Sequence, residues 1–179
     1  DIIPPMTNPH PQFETCNIPD LVIIHPDVYG DQRGFVFESY RKSHFAESGI
    51  TDEFVQDNHV RSQKGVLRGL HFQNPPHTQA KLVRVTRGRV YDVALDIRKT
   101  SETYGQWFGI ELTEENKTMF YIPVGFAHGF LALEDGTEFQ YKMSTNYAPE
   151  HEGGVRWNDP VLRDPAGHTH NRGIGRNVF

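Results

Sequence analysis

Short runs of alternating apolar and polar residues, bounded by glycine or proline, fill the chain between residues 54 and 143. Residues 81–85, 89–98 and 137–143 alternate with period two, and residues 107–112 form another strand-like run. Period two is typical of half-buried strands, whose side chains point to opposite faces. Strands at this short spacing favour an all-β barrel or sandwich over a βαβ fold.

The chain before residue 54 predicts two further strands, at residues 21–24 and 35–40, with a turn at 29–34 between them. Residues 43–49 are typical of a short helix in which Ser43 is the N-cap and Gly49 the C′ residue. Thr113 caps a predicted helical turn at 113–116, and residues 134–136 predict a hairpin.

Two carboxylates share one face of the strand predicted at 89–98. Asp92 and Asp96 lie with Val90 and Ala94 on that face. Two acids on one face of a central strand indicate a solvated cavity or a buried ion pair, although an ordinary exposed sheet face gives the same pattern.

The length of 179 residues suits one domain that closes a core without disulfides or metals. We divide the chain into an N-terminal extended arm (1–20, with five prolines), a main domain (21–163) and an irregular tail (164–179). The net charge of −5 gives no general attraction to nucleic acid or to anionic membranes.

The location is predicted to be cytoplasmic. The start of the chain shows no basic segment followed by an apolar one, as a secretory signal would have. No apolar run approaches the roughly 20 residues of a membrane span, and Cys16 has no second cysteine to pair with.

Two histidine motifs resemble the signature motifs of the cupin barrel. They are Gly65-x5-His71, and Pro123-x-Gly125-x2-His128. The cupin metal ligands are altered, because Gln73 replaces the second histidine and the segment Gln79-Ala80-Lys81 replaces the carboxylate. An ammonium group is a poor neighbour for a divalent cation and an amide is a weak ligand, so we predict a metal-free site. The alternative is a metal-dependent cupin oxygenase that uses His71, His128 and Gln73.

The residue types predict proton transfer rather than nucleophilic catalysis. The sequence has no Gly-x-Ser-x-Gly elbow, Walker loop or Gly-x-Gly-x-x-Gly turn. Proton abstraction next to a carbonyl needs a neutral base, a cation for the enolate oxygen and a second acid. His71, Lys81 and Tyr141 fit these roles, although each also fits an ordinary structural role.

A longer series of motifs resembles the dTDP-4-dehydrorhamnose 3,5-epimerase family over residues 21–160. The matching segments are GDQRGF (30–35), FVQDNH (54–59), GVLRGLHFQ (65–73), KLVRV (81–85), DVALDIR (92–98), IPVGFAHGF (122–130) and YAPE (147–150).

The resemblance implies an all-β cupin jelly-roll barrel with short helical turns, which forms a homodimer and uses no cofactor or metal. It implies inversion of C3 and C5 of a dTDP-4-keto-6-deoxyhexose, with His71 as base, Tyr141 as acid and Lys81 at the C4 oxygen. The implied substrate-binding residues are Arg33, Glu38, Gln56, Asn58, Arg68, His128, Tyr147 (stacking on the base) and Glu150. Arginines suit a diphosphate and an aromatic face suits a thymine.

The tail departs from the family pattern. It has no Leu-Ser-x-Lys-Asp segment, whose carboxylate orients the catalytic imidazole in the family. The sequence therefore predicts another orienting carboxylate, with Asp92, Asp96 and Asp164 as candidates. The alternatives are epimerisation at one carbon of a related sugar, and a binding module without turnover.

Overall fold

A computed structural model describes residues 10–159, which form thirteen strands, one short α-helix and one 3-10 helix. The strands are β1 (Gln12–Thr15), β2 (Val22–His25), β3 (Val28–Asp31), β4 (Gly34–Phe37), β5 (Gln56–Ser62), β6 (Leu67–Gln73), β7 (Lys81–Arg87), β8 (Arg89–Asp96), β9 (Trp107–Thr113), β10 (Met119–Ile122), β11 (Phe126–Ala132), β12 (Thr137–Met143) and β13 (Glu152–Gly154). Helix α1 spans Lys42–Glu47 and the 3-10 helix spans Pro149–His151.

Eleven of these strands form two antiparallel sheets. The six-stranded sheet has the order β1-β2-β10-β7-β12-β5, and the five-stranded sheet has the order β13-β6-β11-β8-β9. Strands β3 and β4 form a separate two-stranded hairpin. The prediction of an all-β jelly roll is confirmed, and the extended arm contributes β1, which pairs with β2.

The main core lies between the inner faces of the two sheets. Val83 and Phe139 come from the six-stranded sheet, whereas Val90 and Phe130 come from the five-stranded sheet. The rings of Phe130 and Phe139 lie 4.2 Å apart between centroids. Alternate residues of each strand therefore face a shared interior, as the period-two pattern predicts.

A second apolar cluster covers the outer face of the six-stranded sheet. Phe45 of α1 packs in this cluster with Ile24, Leu82 and Met119. The predicted N-cap of α1 is wrong, because the cap is Arg41 and makes no side-chain hydrogen bond. Gly49 follows the C-cap Ser48 with a φ of 88°, so the predicted C′ glycine is confirmed. No helix within residues 10–159 has the length and apolarity that crossing a membrane requires.

One local prediction is wrong. Residues 134–136 do not close a hairpin, because β11 belongs to the five-stranded sheet and β12 to the six-stranded sheet. The turn predicted at 29–34 is confirmed at Gln32 and Arg33, which connect β3 to β4, although the residues on either side are strand. Thr113 does accept hydrogen bonds from the backbone N–H groups of Glu115 and Asn116, but within a turn rather than a helix.

Both acids of β8 are fully buried. Asp96 binds Arg98 through two side-chain hydrogen bonds and also accepts from Ser101 and Thr103. These bonds hold the pKa of Asp96 far below its usual range, against the opposing effect of burial. The face that carries the two acids is therefore interior, and Asp96 forms the ion pair that one of the alternatives predicts.

The approach of β6 to β11 depends on glycine. A Cβ at Gly69, where φ is 120°, would lie 2.4 Å from Gly129 Cα and 2.6 Å from the His128 carbonyl oxygen. We expect Gly69→Ala to lower the free energy of unfolding by about 3 kcal/mol or more, from overpacking plus backbone strain. Urea denaturation measures this change.

Gly65→Ala is the matched control for this prediction. Its φ of 84° imposes strain, but no atom lies within 4 Å of the new Cβ. An equal loss of stability in the two variants would contradict the role of close strand approach.

Candidate functional site

The three residues predicted to move protons face the interior of the barrel. His71 on β6 pairs in register with His128 on β11. Lys81 shares the inward face of β7 with Val83, and Tyr141 shares the inward face of β12 with Phe139. The two sheets thus direct a base, a cation and a phenol into one space.

His71 combines access with a neutral imidazole. Its side chain is about half exposed, at 52%. Partial burial of the ring lowers the pKa of His71 below its usual value. The charge of Glu152 raises this pKa, whereas Lys81 and His128 lower it further. Because the pKa is shifted down from an ordinary value near 6.5, the ring is a neutral base at pH 7.

Glu152 is the carboxylate nearest to the base among the described residues. Its Oε1 lies 3.7 Å from His71 Nδ1, which is within ion-pair range but too long for a hydrogen bond. Its Oε2 accepts a hydrogen bond of 2.8 Å from the hydroxyl of Tyr147, and this bond raises the pKa of Tyr147. A carboxylate facing Nδ1 favours the tautomer in which Nε2 is free to accept a proton.

Lys81 is a cation held partly out of water. Burial lowers the pKa of its ammonium to about 8, although Asp92 and Glu152 oppose the shift. No protein hydrogen bond to Lys81 Nζ is found among residues 10–159. A desolvated ammonium without a fixed protein partner is available to an anionic oxygen of a ligand.

The hydroxyl of Tyr141 lies at the end of a hydrogen-bond relay. Tyr147 N donates to Gln56 Oε1, Gln56 Nε2 donates to Asn58 Oδ1, and Asn58 Nδ2 donates to the Tyr141 hydroxyl at 3.1 Å. Because Asn58 is the donor in the last bond, the proton of Tyr141 remains available to another group. The relay therefore orients a potential acid.

A buried histidine and carboxylate lie beside the base. Both carboxylate oxygens of Asp92 lie near His128 Nε2, at 2.9 and 3.1 Å. Asp92 is fully buried and His128 almost so. Asp92 therefore pairs with His128, and Asp96 pairs with Arg98, so neither is the orienting partner of His71. Asp164, the third candidate, lies outside the described residues.

Gln73 is not free to act as a metal ligand. Its amide nitrogen donates to the carbonyl oxygens of His77 and Asn146, and its amide oxygen accepts from Ala148 N. The metal-dependent alternative needs Gln73 beside His71 and His128. These hydrogen bonds give Gln73 a structural role instead, joining the end of β6 to the segment after β12.

Arg68 lies on the same sheet as the base. It pairs in register with Phe130, and its Nε donates to the Ser62 hydroxyl at 3.2 Å. This bond uses only Nε. Among residues 10–159, no hydrogen bond is found to the two terminal nitrogens of this exposed guanidinium. Such a group suits a phosphate.

Arg33 and Glu38 are not brought to this interior within one chain. Arg33 binds Asp31 on the β3–β4 hairpin, and Glu38 binds Arg41 and His44. The hairpin lies on the outer side of the six-stranded sheet, where Arg84 stacks over the ring of Phe37 at 5.6 Å. The two predicted substrate residues therefore lie on the opposite side of that sheet from the proton-transfer groups.

The acid that contacts His71 is Glu152, two residues after Glu150, the predicted substrate-binding acid of the YAPE motif. Glu150 is exposed and its nearest charged partner is His151 at 4.0 Å, whereas Glu152 contacts both Tyr147 and His71. The signal that could have found Glu152 is the Gly153-Gly154 pair after it. These glycines let β13 pair with β6, with Gly154 opposite His71.

The arrangement suits deprotonation next to a carbonyl. It offers a neutral imidazole base, a desolvated cation for the developing oxyanion and a tyrosine whose proton is free. Sequence reasoning identified these three groups and the relay residues Gln56 and Asn58, but it missed Glu152.

A family model described as dTDP-4-dehydrorhamnose 3,5-epimerase matches residues 15–165. The curated enzyme of that name from Pseudomonas aeruginosa is 54% identical over 147 residues, which are 82% of this chain and 81% of the relative.

Two solved structures extend the comparison. The dTDP-6-deoxy-D-glucose-3,5-epimerase of Legionella pneumophila, in complex with dTDP-4-keto-L-rhamnose, is 52% identical with a TM-score of 0.83. The match covers 86% of this chain and 81% of that one. ChmJ, a 3′-monoepimerase from Streptomyces bikiniensis in complex with dTDP-quinovose, is 30% identical with a TM-score of 0.83, covering 93% and 82% of the two chains.

Proposed function

This chain belongs to the dTDP-4-dehydrorhamnose 3,5-epimerase family, and on that premise we propose that it inverts C3 and C5 of dTDP-4-keto-6-deoxyglucose without a cofactor. The observation that carries the proposal is the convergence of His71, Lys81 and Tyr141 inside one barrel. The product would serve the biosynthesis of dTDP-L-rhamnose.

His71 removes the proton from C3, which is acidic because C4 is a ketone. The electron pair moves to the C4 oxygen, and the enolate is stabilised by the ammonium of Lys81. Tyr141 delivers a proton to the opposite face of C3, so the configuration inverts and the ketone re-forms. The same sequence at C5 completes the reaction, and proton exchange with water restores both side chains between cycles.

The nucleotide is held by groups around this centre. Arg68 binds the diphosphate, and the exposed ring of Tyr147 stacks on the base. Gln56, Asn58 and His128 border the sugar. Glu152 orients His71 in place of the carboxylate that the family takes from its terminal segment.

We propose further that the protein is a homodimer, because Arg33 and Glu38 need a second chain to reach a substrate. The hairpin that carries Arg33 exposes Phe35 and Val28, which are 61% and 43% accessible. Exposed apolar residues beside substrate-binding types support a role against a partner. Sedimentation velocity tests this point, since a species of one chain mass would contradict it.

A cytoplasmic location is also proposed. Support comes from Cys16, a free thiol that suits a reducing compartment.

The test is proton NMR of dTDP-4-keto-6-deoxyglucose with metal-free protein in D2O. We expect the signals of both the C3 and the C5 protons to disappear as solvent deuterium replaces them. Loss of the C3 signal alone would assign a single-centre epimerase, the second candidate, which the similarity to a 3′-monoepimerase favours. Retention of both signals, with dTDP bound, would contradict catalysis and favour a binding module.

A further inference from the structure

A second cluster of ligand-type side chains lies near the 3-10 helix. His77, Glu150 and His151 place one nitrogen or carboxylate oxygen each within 4.8 Å of one another. The two imidazole rings are 4.3 Å apart between centroids, with an interplanar angle of 40°. None of these three side chains takes part in the proton transfers described above.

The two segments that carry these side chains are fastened to each other. Asn74 donates to the carbonyl oxygen of His151 from its backbone nitrogen, at 2.8 Å, and from its side chain, at 3.2 Å. Gln73 donates to the carbonyl oxygen of His77 at 2.6 Å. The backbone N–H of His77 donates to the carbonyl oxygen of Asn74 at 3.0 Å, which closes a turn. These hydrogen bonds therefore fix the backbone positions of His77 and His151 relative to each other.

The three ligand types, two imidazoles and one carboxylate, indicate which metal ion the cluster could bind. Two imidazoles and one carboxylate are the three protein ligands of some four-coordinate zinc sites, in which water takes the fourth position. Zn²⁺ binds such ligands at about 2.0–2.2 Å, so tetrahedral ligand atoms lie about 3.4 Å apart. The three ligand atoms lie within 4.8 Å of one another, so binding of an ion requires them to move closer, and the side chain of Glu150 is exposed.

We propose that His77, Glu150 and His151 bind one Zn²⁺ ion per chain. The ion would link the turn after β6 to the 3-10 helix. This helix connects Tyr147 to Glu152. A bound ion would therefore hold in place the segment that borders the catalytic space. The proposal does not depend on the substrate assigned above.

Isothermal titration of Zn²⁺ into tag-free protein, stripped with a chelator, tests the proposal. We expect one ion per chain for the wild type. His77→Ala and His151→Ala should each weaken binding by more than the roughly 10- to 100-fold that loss of an outer-shell partner costs. Glu150→Gln should weaken it in the same direction.

Two control variants isolate the site. His59→Ala removes an exposed histidine that contacts Glu138 on the outer face of β5, and it should bind Zn²⁺ like the wild type. A double variant, His168→Ala with His170→Ala, removes the two tail histidines and should also bind normally. Loss of binding in the tail variant with retention in His77→Ala would overturn the proposal.

Thermal unfolding provides a second readout. A ligand that binds only the folded chain raises Tm, and the rise grows with the logarithm of the ligand concentration above Kd. We expect added Zn²⁺ to raise the Tm of the wild type and of His59→Ala, and to leave that of His77→Ala unchanged. An equal rise in all three would also overturn the proposal, and the Tm without zinc shows that each variant folds.

Discussion

Replacing His71 by asparagine should abolish hydrogen exchange at both C3 and C5. Loss of a positioned general base costs about 10²- to 10⁴-fold in rate. Asparagine keeps a polar side chain but cannot accept a proton at neutral pH. The measurement is the disappearance of the two proton signals in D2O, followed over time at saturating substrate.

Binding of dTDP to His71→Asn should remain close to that of the wild type, because the proposed nucleotide-binding residues Arg68 and Tyr147 are unchanged. His59→Asn is the matched control, since His59 lies on the outer face of β5 and contacts Glu138 and Gln140. If His71 removes both protons, the exchange rates at C3 and at C5 should fall by the same factor. Persistent exchange at C5 alone would assign that proton to another base.

Replacing Lys81 by methionine should lower kcat by about 10²- to 10³-fold, the usual cost of removing one oxyanion donor. Methionine keeps the length and volume of the lysine stem without its charge. Single-turnover kinetics separate this loss from any change in substrate binding. Lys64→Met, at an exposed loop position, is the control and should retain full activity.

The same substitution should stabilise the free protein at pH 7. Burial lowers the pKa of Lys81 from 10.5 to about 8. At about 1.36 kcal/mol per pKa unit, this charge costs about 3 kcal/mol of folding free energy. Lys81→Met should therefore gain that amount in urea denaturation, and an unchanged or lower stability would contradict the desolvation argument.

The pH dependence of this gain has a definite sign. Below pH 8 both the folded and the unfolded chain carry the Lys81 proton, so the full cost is present. Between about pH 8 and 10.5 only the unfolded chain binds it, so wild-type stability rises with pH and the advantage of the variant declines. The kcat/KM of the wild type should fall above pH about 8, and this alkaline limb should be absent in Lys81→Met.

The alternation of the strands predicted which side chains face the interior. The period-two pattern placed Tyr141 with Phe139, and it placed Asp92 and Asp96 on one face. These positions depend only on local strand geometry, which the sequence specifies directly. The inward direction of His71 is instead seen from its register with His128 on β11, which the local pattern did not predict.

Relations between distant segments could not be predicted in the same way. The turn at 134–136 is visible in the sequence, but its glycine does not reveal that β12 leaves the sheet of β11. Glu152 was missed because a strand of three residues, Glu152–Gly154, has too few positions to show alternation. Arg33 and Glu38 carry suitable chemistry, yet the side of the sheet on which their hairpin lies depends on tertiary packing.

The hydrogen-bond relay from Tyr147 through Gln56 and Asn58 to Tyr141 would make recognition of the nucleotide base part of catalysis. In the proposed mechanism, the residue that stacks on the nucleotide base and the residue that delivers the proton are the two ends of this hydrogen-bonded chain. Contact with the nucleotide base would therefore hold Tyr141 in its working orientation. A keto sugar that lacks the base would be processed slowly even when it saturates the enzyme, because part of the binding energy is used for alignment and not for affinity.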